Sequence, residues 1–158
     1  MEQPLTTERT RKLGNTGLSI GPLGLGSVNF SWLTEEAESF ATQEAIAATL
    51  QRYIDAASSG KGSLMRTAFA AGARVRGTYG GKPVDWTLPE FRDLIDKGGP
   101  IADLQARIVV IDYGGNAGMA RLEARNWRGT RYTDFFVLIK RDDGWRISDK
   151  VFFAHSRA

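Results

Sequence analysis

Hydrophobic residues recur at helical spacing between residues 42 and 57, which predicts a helix with one buried face. The buried stripe consists of Ile46, Leu50, Tyr53, Ile54 and Ala57. Thr42 is suited to cap this helix, and Gly60 to end it. A second, shorter helix is predicted over Ser63–Ala71.

The rest of the chain has the pattern of strands and turns around one further helix. Ala73–Tyr79 reads as a strand, and Gly80-Gly81 can form the tight turn of a hairpin. Thr87-Leu-Pro-Glu90 is a capping box, which predicts a helix start. Long strands then follow, separated by turns at Tyr113–Asn116, Arg128-Gly129 and Arg141–Gly144. We therefore predict an α+β fold in which N-terminal helices pack on a curved antiparallel sheet.

The last three strands carry apolar residues on both faces. Counting outward from a two-residue turn at Arg128-Gly129 places Tyr132, Asp134 and Phe136 on one face, opposite Glu123 and Arg125 on the preceding strand. Counting from the next turn, at Arg141–Gly144, places Val151 opposite Asp134. Val151 and Phe153 then lie on this face, and Leu122, Ala124 and Phe152 on the other. A single bulge would exchange the faces. Because both faces are partly apolar, we expect helices on one side and a second copy of the chain on the other, in a homodimer.

Composition and charge exclude several classes of function. The chain has 158 residues, a formal net charge of +3, no Cys and one His, so thiolate chemistry and Cys-based or His-rich metal sites are excluded. Basic residues are scattered, so we expect no nucleic-acid partner. No stretch has the length of a membrane helix or a signal peptide, so we expect no membrane association and a cytoplasmic location. No cofactor or metal is indicated.

Glycines and short apolar pieces alternate between Leu13 and Gly26. Residues 11–40, from Arg11-Lys-Leu-Gly-Asn-Thr-Gly onward, resemble the N-terminal hairpin of aldo-keto reductases. The hydride-transfer residues of that family have no counterpart here, so no reductase activity is inferred. We expect residues 1–40 to be a flexible Gly-rich extension and residues 41–158 to form the domain.

Three segments of the remaining chain carry a family resemblance, Ala45–Asp55, Ala68–Val75 and above all Tyr132–Phe152, which contains Asp-Gly-Trp-Arg-Ile-Ser-Asp-Lys-Val-Phe. They resemble the nuclear transport factor 2-like superfamily, in its putative lumazine-binding and SnoaL-like branch. The resemblance implies a cystatin-like cone, a homodimer, and helices that close one side of the sheet over a pocket. It does not identify the ligand.

A second, local resemblance is chemically more specific. Gln51–Ile54 and Phe69–Val75 are similar to stretches of ketosteroid isomerase, and the resemblance places Tyr53 and Asp134 where the oxyanion hole of that enzyme lies. Gly77 stands nearest to the position of its general base, which disfavours steroid isomerisation. From the residues alone, Asp134 could equally be an ionised carboxylate paired with Arg121 or Arg125.

These observations leave two hypotheses from different classes. In the first, a small-molecule pocket binds a carbonyl-bearing aromatic or polycyclic ligand, with or without turnover. Its predicted catalytic residues are Tyr53 and Asp134, and its predicted ligand-binding residues are Phe69, Trp86, Phe91, Tyr132 and Phe136. In the second, the chain is a non-catalytic homodimerisation or protein-interaction module without a ligand. A cavity would favour the first hypothesis and a filled interior the second.

Overall fold

The computed structural model describes residues 11–12, 19–20 and 32–155. The chain divides into two units, Met1–Ala37 and Glu38–Ala158. The elements, in chain order, are β1 Arg11–Lys12, β2 Ser19–Ile20, α1 Trp32–Ser59, a 3-10 helix Gly62–Thr67, β3 Phe69–Tyr79, β4 Lys82–Thr87, α2 Leu88–Gly98, β5 Gln105–Gly114, β6 Ala117–Trp127, β7 Thr130–Arg141 and β8 Gly144–Ala154. Strands β1 and β2 pair antiparallel. Most of the predicted flexible extension lies outside the described residues, so that prediction is not tested.

The larger unit is a curved six-stranded sheet in the order β4-β3-β8-β7-β6-β5, with α1 packed on its inner face. Neighbouring strands are antiparallel except β3 and β8, which run parallel. The predicted fold class is confirmed, with a mixed sheet in place of a wholly antiparallel one. Among the described residues no helix is long and apolar enough to cross a membrane.

Helix α1 buries the predicted stripe. Ile46, Leu50, Tyr53 and Ala57 are all buried, and Ile54 is half-buried. The predicted cap at Thr42 is wrong, because α1 begins at Trp32 and Thr42 lies inside it.

The predicted helix over Ser63–Ala71 is also wrong in its second half. A 3-10 helix ends at Thr67, and β3 begins at Phe69. Phe69 pairs with Ile147 of β8, and the backbone N–H of Ile147 donates to the carbonyl of Ala68 at 2.9 Å. Sheet pairing therefore overrides the helical propensity of this Ala-rich segment.

The turns and the capping box form as predicted. Gly80 and Gly81 have positive φ angles of 57° and 77°, which the tight turn between β3 and β4 requires. The side chain of Thr87 accepts from the Glu90 backbone N–H, and the Glu90 carboxylate accepts from the Thr87 backbone N–H at 2.7 Å. This capping box starts α2, whose Phe91 and Ile95 are buried in the core.

Two β-bulges decide which residues face the interior. Trp127 lies opposite Thr130 as predicted, but a bulge at Arg125-Asn126 then places Ala124 opposite Tyr132. On β8, Ser148 is the extra residue, because Leu138 pairs with Ile147 and Val137 with Asp149.

The predicted strand faces change as a result. Asp134 lies opposite Leu122 and Phe152, and the predicted pairings with Glu123 and Val151 are wrong. The inner face holds Leu122, Ala124, Tyr132, Asp134, Phe136, Leu138, Trp145, Ile147, Lys150 and Phe152. The outer face exposes Arg121, Phe135, Val137, Val151 and Phe153.

Candidate functional site

Three polar side chains meet inside the larger unit. The Tyr53 hydroxyl donates to Oδ2 of Asp134 at 2.9 Å. The Lys150 ammonium donates to the Tyr53 hydroxyl at 2.7 Å, and its Nζ lies 3.0 Å from the same Asp134 oxygen. We call Tyr53, Asp134 and Lys150 the buried triad. Tyr53 and Asp134, which the resemblance to ketosteroid isomerase places at one site, are joined by a direct hydrogen bond.

Each member of the triad comes from a different element. Tyr53 lies on the buried stripe of α1, whereas Asp134 lies on β7 and Lys150 on β8. Asp134 pairs with Phe152, and Lys150 pairs with Phe136, so the two charged residues are diagonal neighbours on one face.

Sequence reasoning missed Lys150. If side chains alternated regularly from Trp145 and Ile147, Asp149 and Val151 would face inward and Lys150 outward. The extra residue Ser148 reverses this, and Lys150 is only 4% exposed. No local feature of the run Ile147-Ser-Asp-Lys150 marks the bulge that brings Lys150 into line with the apolar positions.

The two arginines predicted as alternative partners do not reach Asp134. Arg121 and Arg125 are exposed, and Arg121 pairs with Glu123 at 2.7 Å on the outer face. Asp134 is fully buried, and its ion pair is with Lys150. The alternative predicted an ion pair for Asp134, which is present, but with an arginine and not with Lys150.

Aromatic rings surround the Lys150 ammonium. Five ring centroids lie 5.0 to 6.0 Å from Nζ, those of Tyr53, Phe91, Trp127, Phe136 and Phe152. At these distances the ring faces attract a cation. The rings and the Asp134 carboxylate together offset part of the cost of burying the ammonium.

Burial shifts the acid–base properties of the triad. It raises the pKa of Tyr53 well above 10.0, and the neighbouring Asp134 charge adds to this rise, so the phenol stays protonated and acts as a donor. Burial also lowers the pKa of Lys150, whereas the Asp134 charge opposes that shift. The lysine is thus brought closer to losing its proton than an exposed lysine is.

Two hydrogen-bonding positions of the triad are unused among the described residues. Oδ1 of Asp134 is buried and accepts no hydrogen bond. Lys150 has three N–H donors, and only Tyr53 and Asp134 accept from them. A buried polar group without a partner is costly, so both positions are suited to a ligand or a water molecule.

A cavity of about 400 Å³ opens beside Lys150. Its lining consists of Tyr79, Trp86, Phe91, Leu94, Ile95, Lys97, Gly98, Trp127, Arg128, Tyr132, Lys150 and Phe152. Three lining residues are cationic, and none of those described is acidic. The Arg128 guanidinium donates to the carbonyl of Gly99 at 2.9 Å, which joins the β6–β7 turn to the C-terminal end of α2.

The predicted ligand-binding residues fall into two groups. Trp86, Phe91 and Tyr132 line the cavity. Phe69 and Phe136 are buried next to Tyr53, with ring centroids at 5.9 and 5.1 Å from its ring. They support the tyrosine and do not line the cavity. A role in binding remains a prediction for all five.

The position of the missing general base is closed by packing. A Cβ atom on Gly77 would lie 2.5 Å from the Phe152 carbonyl oxygen and 2.8 Å from its ring atoms. No side chain fits there while Phe152 lines the cavity. Among the described residues there is also no group of three His, Cys, Asp or Glu side chains that could hold a metal ion.

This architecture, a curved sheet closed by a long helix over an interior cavity, is that of the nuclear transport factor 2-like proteins with a cystatin-like fold. A family model described as "Putative lumazine-binding" matches residues 41–153. The chain belongs to this family. No significant match is found among curated proteins.

Solved structures agree with this assignment. An NTF2-like protein of unknown function from Methylobacillus flagellatus KT is 36% identical, with a TM-score of 0.68 over 72% of this chain and 91% of that one. A second NTF2-like protein of unknown function, from Shewanella baltica OS155, is 28% identical, with a TM-score of 0.68 over 81% and 99%. A putative ketosteroid isomerase from Shewanella frigidimarina NCIMB 400, at 21% identity and a TM-score of 0.52 over 69% and 94%, shares the fold alone.

Proposed function

We propose that the domain binds a flat aromatic or polycyclic compound that bears a carbonyl oxygen. The observation that carries this proposal is the position of Lys150, a buried ammonium with an unused N–H donor that lines an otherwise largely aromatic cavity. Ring walls favour a flat apolar body, and a single strong donor favours one electron-rich oxygen.

The charge of the lining supports the same class of ligand. Lys97, Arg128 and Lys150 line the cavity, no acidic residue belongs to its lining, and Asp134 pairs with Lys150 from outside the lining. A carbonyl or anionic oxygen is therefore attracted, whereas a cationic ligand is disfavoured. Lumazine, which the family description mentions, is a flat bicyclic dione and one compound of this class to test.

Binding is favoured over steroid isomerisation. The triad can donate to an oxygen through Lys150, but the position that would hold a proton-abstracting base is Gly77, where packing against Phe152 leaves no room for a side chain. The tyrosine keeps its proton because burial raises its pKa. The site thus has an oxygen-binding group without the base of that reaction.

The test compares two ligands of similar shape on the natural protein and two variants. Naphthyl methyl ketone and ethylnaphthalene differ mainly in the carbonyl oxygen, and the fluorescence of Trp86 and Trp127 reports occupancy of the cavity. We expect the ketone to bind roughly 10- to 100-fold more tightly, as a hydrogen bond to a charged group contributes about 1.5–3 kcal/mol. Lys150→Met should remove this preference, and the exposed Lys82→Met should keep it.

Equal affinity of both compounds for the natural protein would contradict the proposal. The natural ligand can be sought directly by mass spectrometry of compounds released from the purified protein under denaturing conditions. A planar carbonyl compound in equimolar amount is the expected result.

The outer face of the sheet supports a second role, self-association. Phe135, Val137, Val151 and Phe153 are 45% to 57% exposed on the adjacent strands β7 and β8. We propose that this face joins two copies of the chain about a two-fold axis, because an exposed apolar patch flanked by charges of both signs can pack against itself. Such a dimer leaves the cavity, on the opposite face, accessible.

A further inference from the structure

Lys150 combines two properties that rarely occur together. It is the only buried lysine within residues 37–155, and it lines a cavity large enough for a small molecule. The sequence has no Cys, so a primary amine is the strongest nucleophile the chain can offer. Lys61, Lys82, Lys97 and Lys140 are exposed.

We propose that Lys150 forms a reversible imine with an aromatic aldehyde or ketone bound in the cavity, and that Asp134 accepts and returns the proton. This inference rests on the proposed function, because the carbonyl compound must first bind. It assigns a covalent step to a residue that a binding-only site would use as a hydrogen-bond donor.

The step is balanced in atoms and charge. The Lys150 ammonium passes one proton to the Asp134 carboxylate, 3.0 Å away, and rotation about the Cε–Nζ bond turns the lone pair to the cavity. The amine adds to the carbonyl carbon, the C–N bond forms, and a proton moves from nitrogen to the new oxygen. The Asp134 carboxylic acid then protonates this hydroxyl, the C–O bond breaks, and water leaves. The products are a protonated imine and the restored carboxylate.

The surroundings stabilise the product as they stabilise the starting ion pair. The protonated imine carries the same single positive charge as the ammonium, so the Asp134 carboxylate remains its counter-ion. The rings of Phe91, Trp127 and Phe152, with centroids 5.4 to 5.5 Å from Nζ, lie against that charge in both states. Their apolar surface also limits the access of water, which would hydrolyse the imine.

The acid–base balance of the site supports this chemistry. Burial lowers the pKa of Lys150, which favours the neutral amine needed for attack. Tyr53 accepts from Lys150 and donates to Asp134, so it holds the two reacting groups together. Tyr53 is therefore a positioning residue, and Asp134 and Lys150 are the catalytic ones.

Reductive trapping tests the proposal on the full chain. Naphthaldehyde is incubated with the protein near neutral pH, and sodium cyanoborohydride reduces any imine to a stable secondary amine. Intact-mass and peptide analysis then count and locate the adducts. We expect one adduct per chain, at Lys150, formed much faster than adducts at the exposed lysines.

Two variants and a non-reactive ligand complete the design. Asp134→Asn keeps the amine but removes the proton carrier and should slow trapping roughly 100-fold, the scale of general acid–base catalysis. Lys82→Arg changes an exposed lysine and should leave trapping at Lys150 unchanged. Naphthalenemethanol has the same ring system but no carbonyl group, so it should occupy the cavity and protect Lys150 without forming an adduct.

The natural protein with these two compounds separates the two proposals, and only the role of Asp134 is tested with a variant. If naphthalenemethanol and naphthaldehyde bind but the adduct forms at Lys97, or only at the rate of the exposed lysines, the imine is overturned and the binding function stands. If neither compound binds, both proposals fail. Unchanged trapping in folded Asp134→Asn protein would overturn the role of Asp134.

Discussion

The two faces of the same sheet depart in opposite ways from the usual distribution of residues. The inner face buries a carboxylate and an ammonium, Asp134 and Lys150, among aromatic rings. The outer face leaves Phe135 and Val151 about half exposed, although each is next in sequence to one of those charged residues. Buried charges and exposed apolar patches are both uncommon in a monomer without partners.

The contrast is the basis for proposing a separate role for each face of strands β7 and β8. On the inner face the charges are tolerated because they pair with each other and with Tyr53, which makes them available to a ligand. On the outer face the apolar side chains gain stability only when another surface covers them. The inner face is thus suited to a small molecule and the outer face to a protein.

The largest expected effect comes from breaking the buried ion pair. Asp134→Asn or Lys150→Met should each lower the free energy of unfolding by about 3–5 kcal/mol, because each leaves the other partner buried without its counter-charge. The double variant Asp134→Asn/Lys150→Met should lose much less than the sum. Urea unfolding of the four proteins measures this coupling.

An exposed ion pair on the outer face is the matched control. Arg76 and Asp149 lie 2.6 Å apart but are 44% and 39% exposed. Arg76→Met should therefore cost only about 0–1 kcal/mol. A cost as small as this for Lys150→Met would show that the buried ion pair contributes no more to stability than the exposed one.

A charge placed on the outer face should break the proposed dimer. Val137 is 54% exposed on β7, so Val137→Lys costs little within one chain but buries an ammonium in a dimer. We expect at least about 2 kcal/mol weaker association, roughly 30-fold in the dissociation constant. Light scattering over a dilution series measures it.

The control for that experiment introduces the same charge elsewhere. Phe40 is 61% exposed on α1, so Phe40→Lys should leave the mass unchanged. A natural protein that is monomeric at micromolar concentration would rule out the dimer and leave the outer apolar face without an occupant.

Periodicity predicted the helix stripe and the capping box because both depend on neighbours within one turn. Tyr53 and Thr87 are placed by such local rules. The prediction of the strand faces was wrong because a β-bulge depends on how two strands pair. The extra residue Ser148 on β8 gives no local signal, yet it decides that Lys150 faces inward.

Resemblance supplied what periodicity could not. The assignment of Tyr53 and Asp134 to one site came from the likeness to ketosteroid isomerase, and their oxygens do meet. Lys150 has no counterpart in that likeness and became visible only in the folded structure. Lys150, the residue on which the proposed chemistry depends, is therefore the member of the triad that the sequence did not predict.

A smaller effect is expected from Tyr53, which bridges the two charges. Tyr53→Phe removes a hydroxyl that accepts from Lys150 and donates to Asp134, and we expect a loss of about 1–3 kcal/mol. Tyr79→Phe is the control, since Tyr79 is 56% exposed and should cost almost nothing. Equal stability of the two variants would show that the Tyr53 hydroxyl is dispensable.

The smallest effect is the response of stability to pH, which tests whether burial acts on Lys150 as inferred. The pKa of Lys150 is lowered in the folded protein from the 10.5 of a free lysine. Below the folded pKa both states hold the proton, and the cost of burying the charge is fully present. Between the folded pKa and 10.5 the unfolded chain binds more protons, so stability rises with pH, by at most about 1.4 kcal/mol per pH unit. Tyr53 opposes this rise in stability only above pH 10, because its pKa is raised.

The difference in unfolding free energy between the natural protein and Lys150→Met should therefore increase from pH 7 to 10. The contributions of exposed groups are the same in both proteins and cancel in this difference. A flat difference over that range would mean that Asp134 and the rings keep the ammonium as charged as in water, and the amine would then lack the neutral form that imine formation requires.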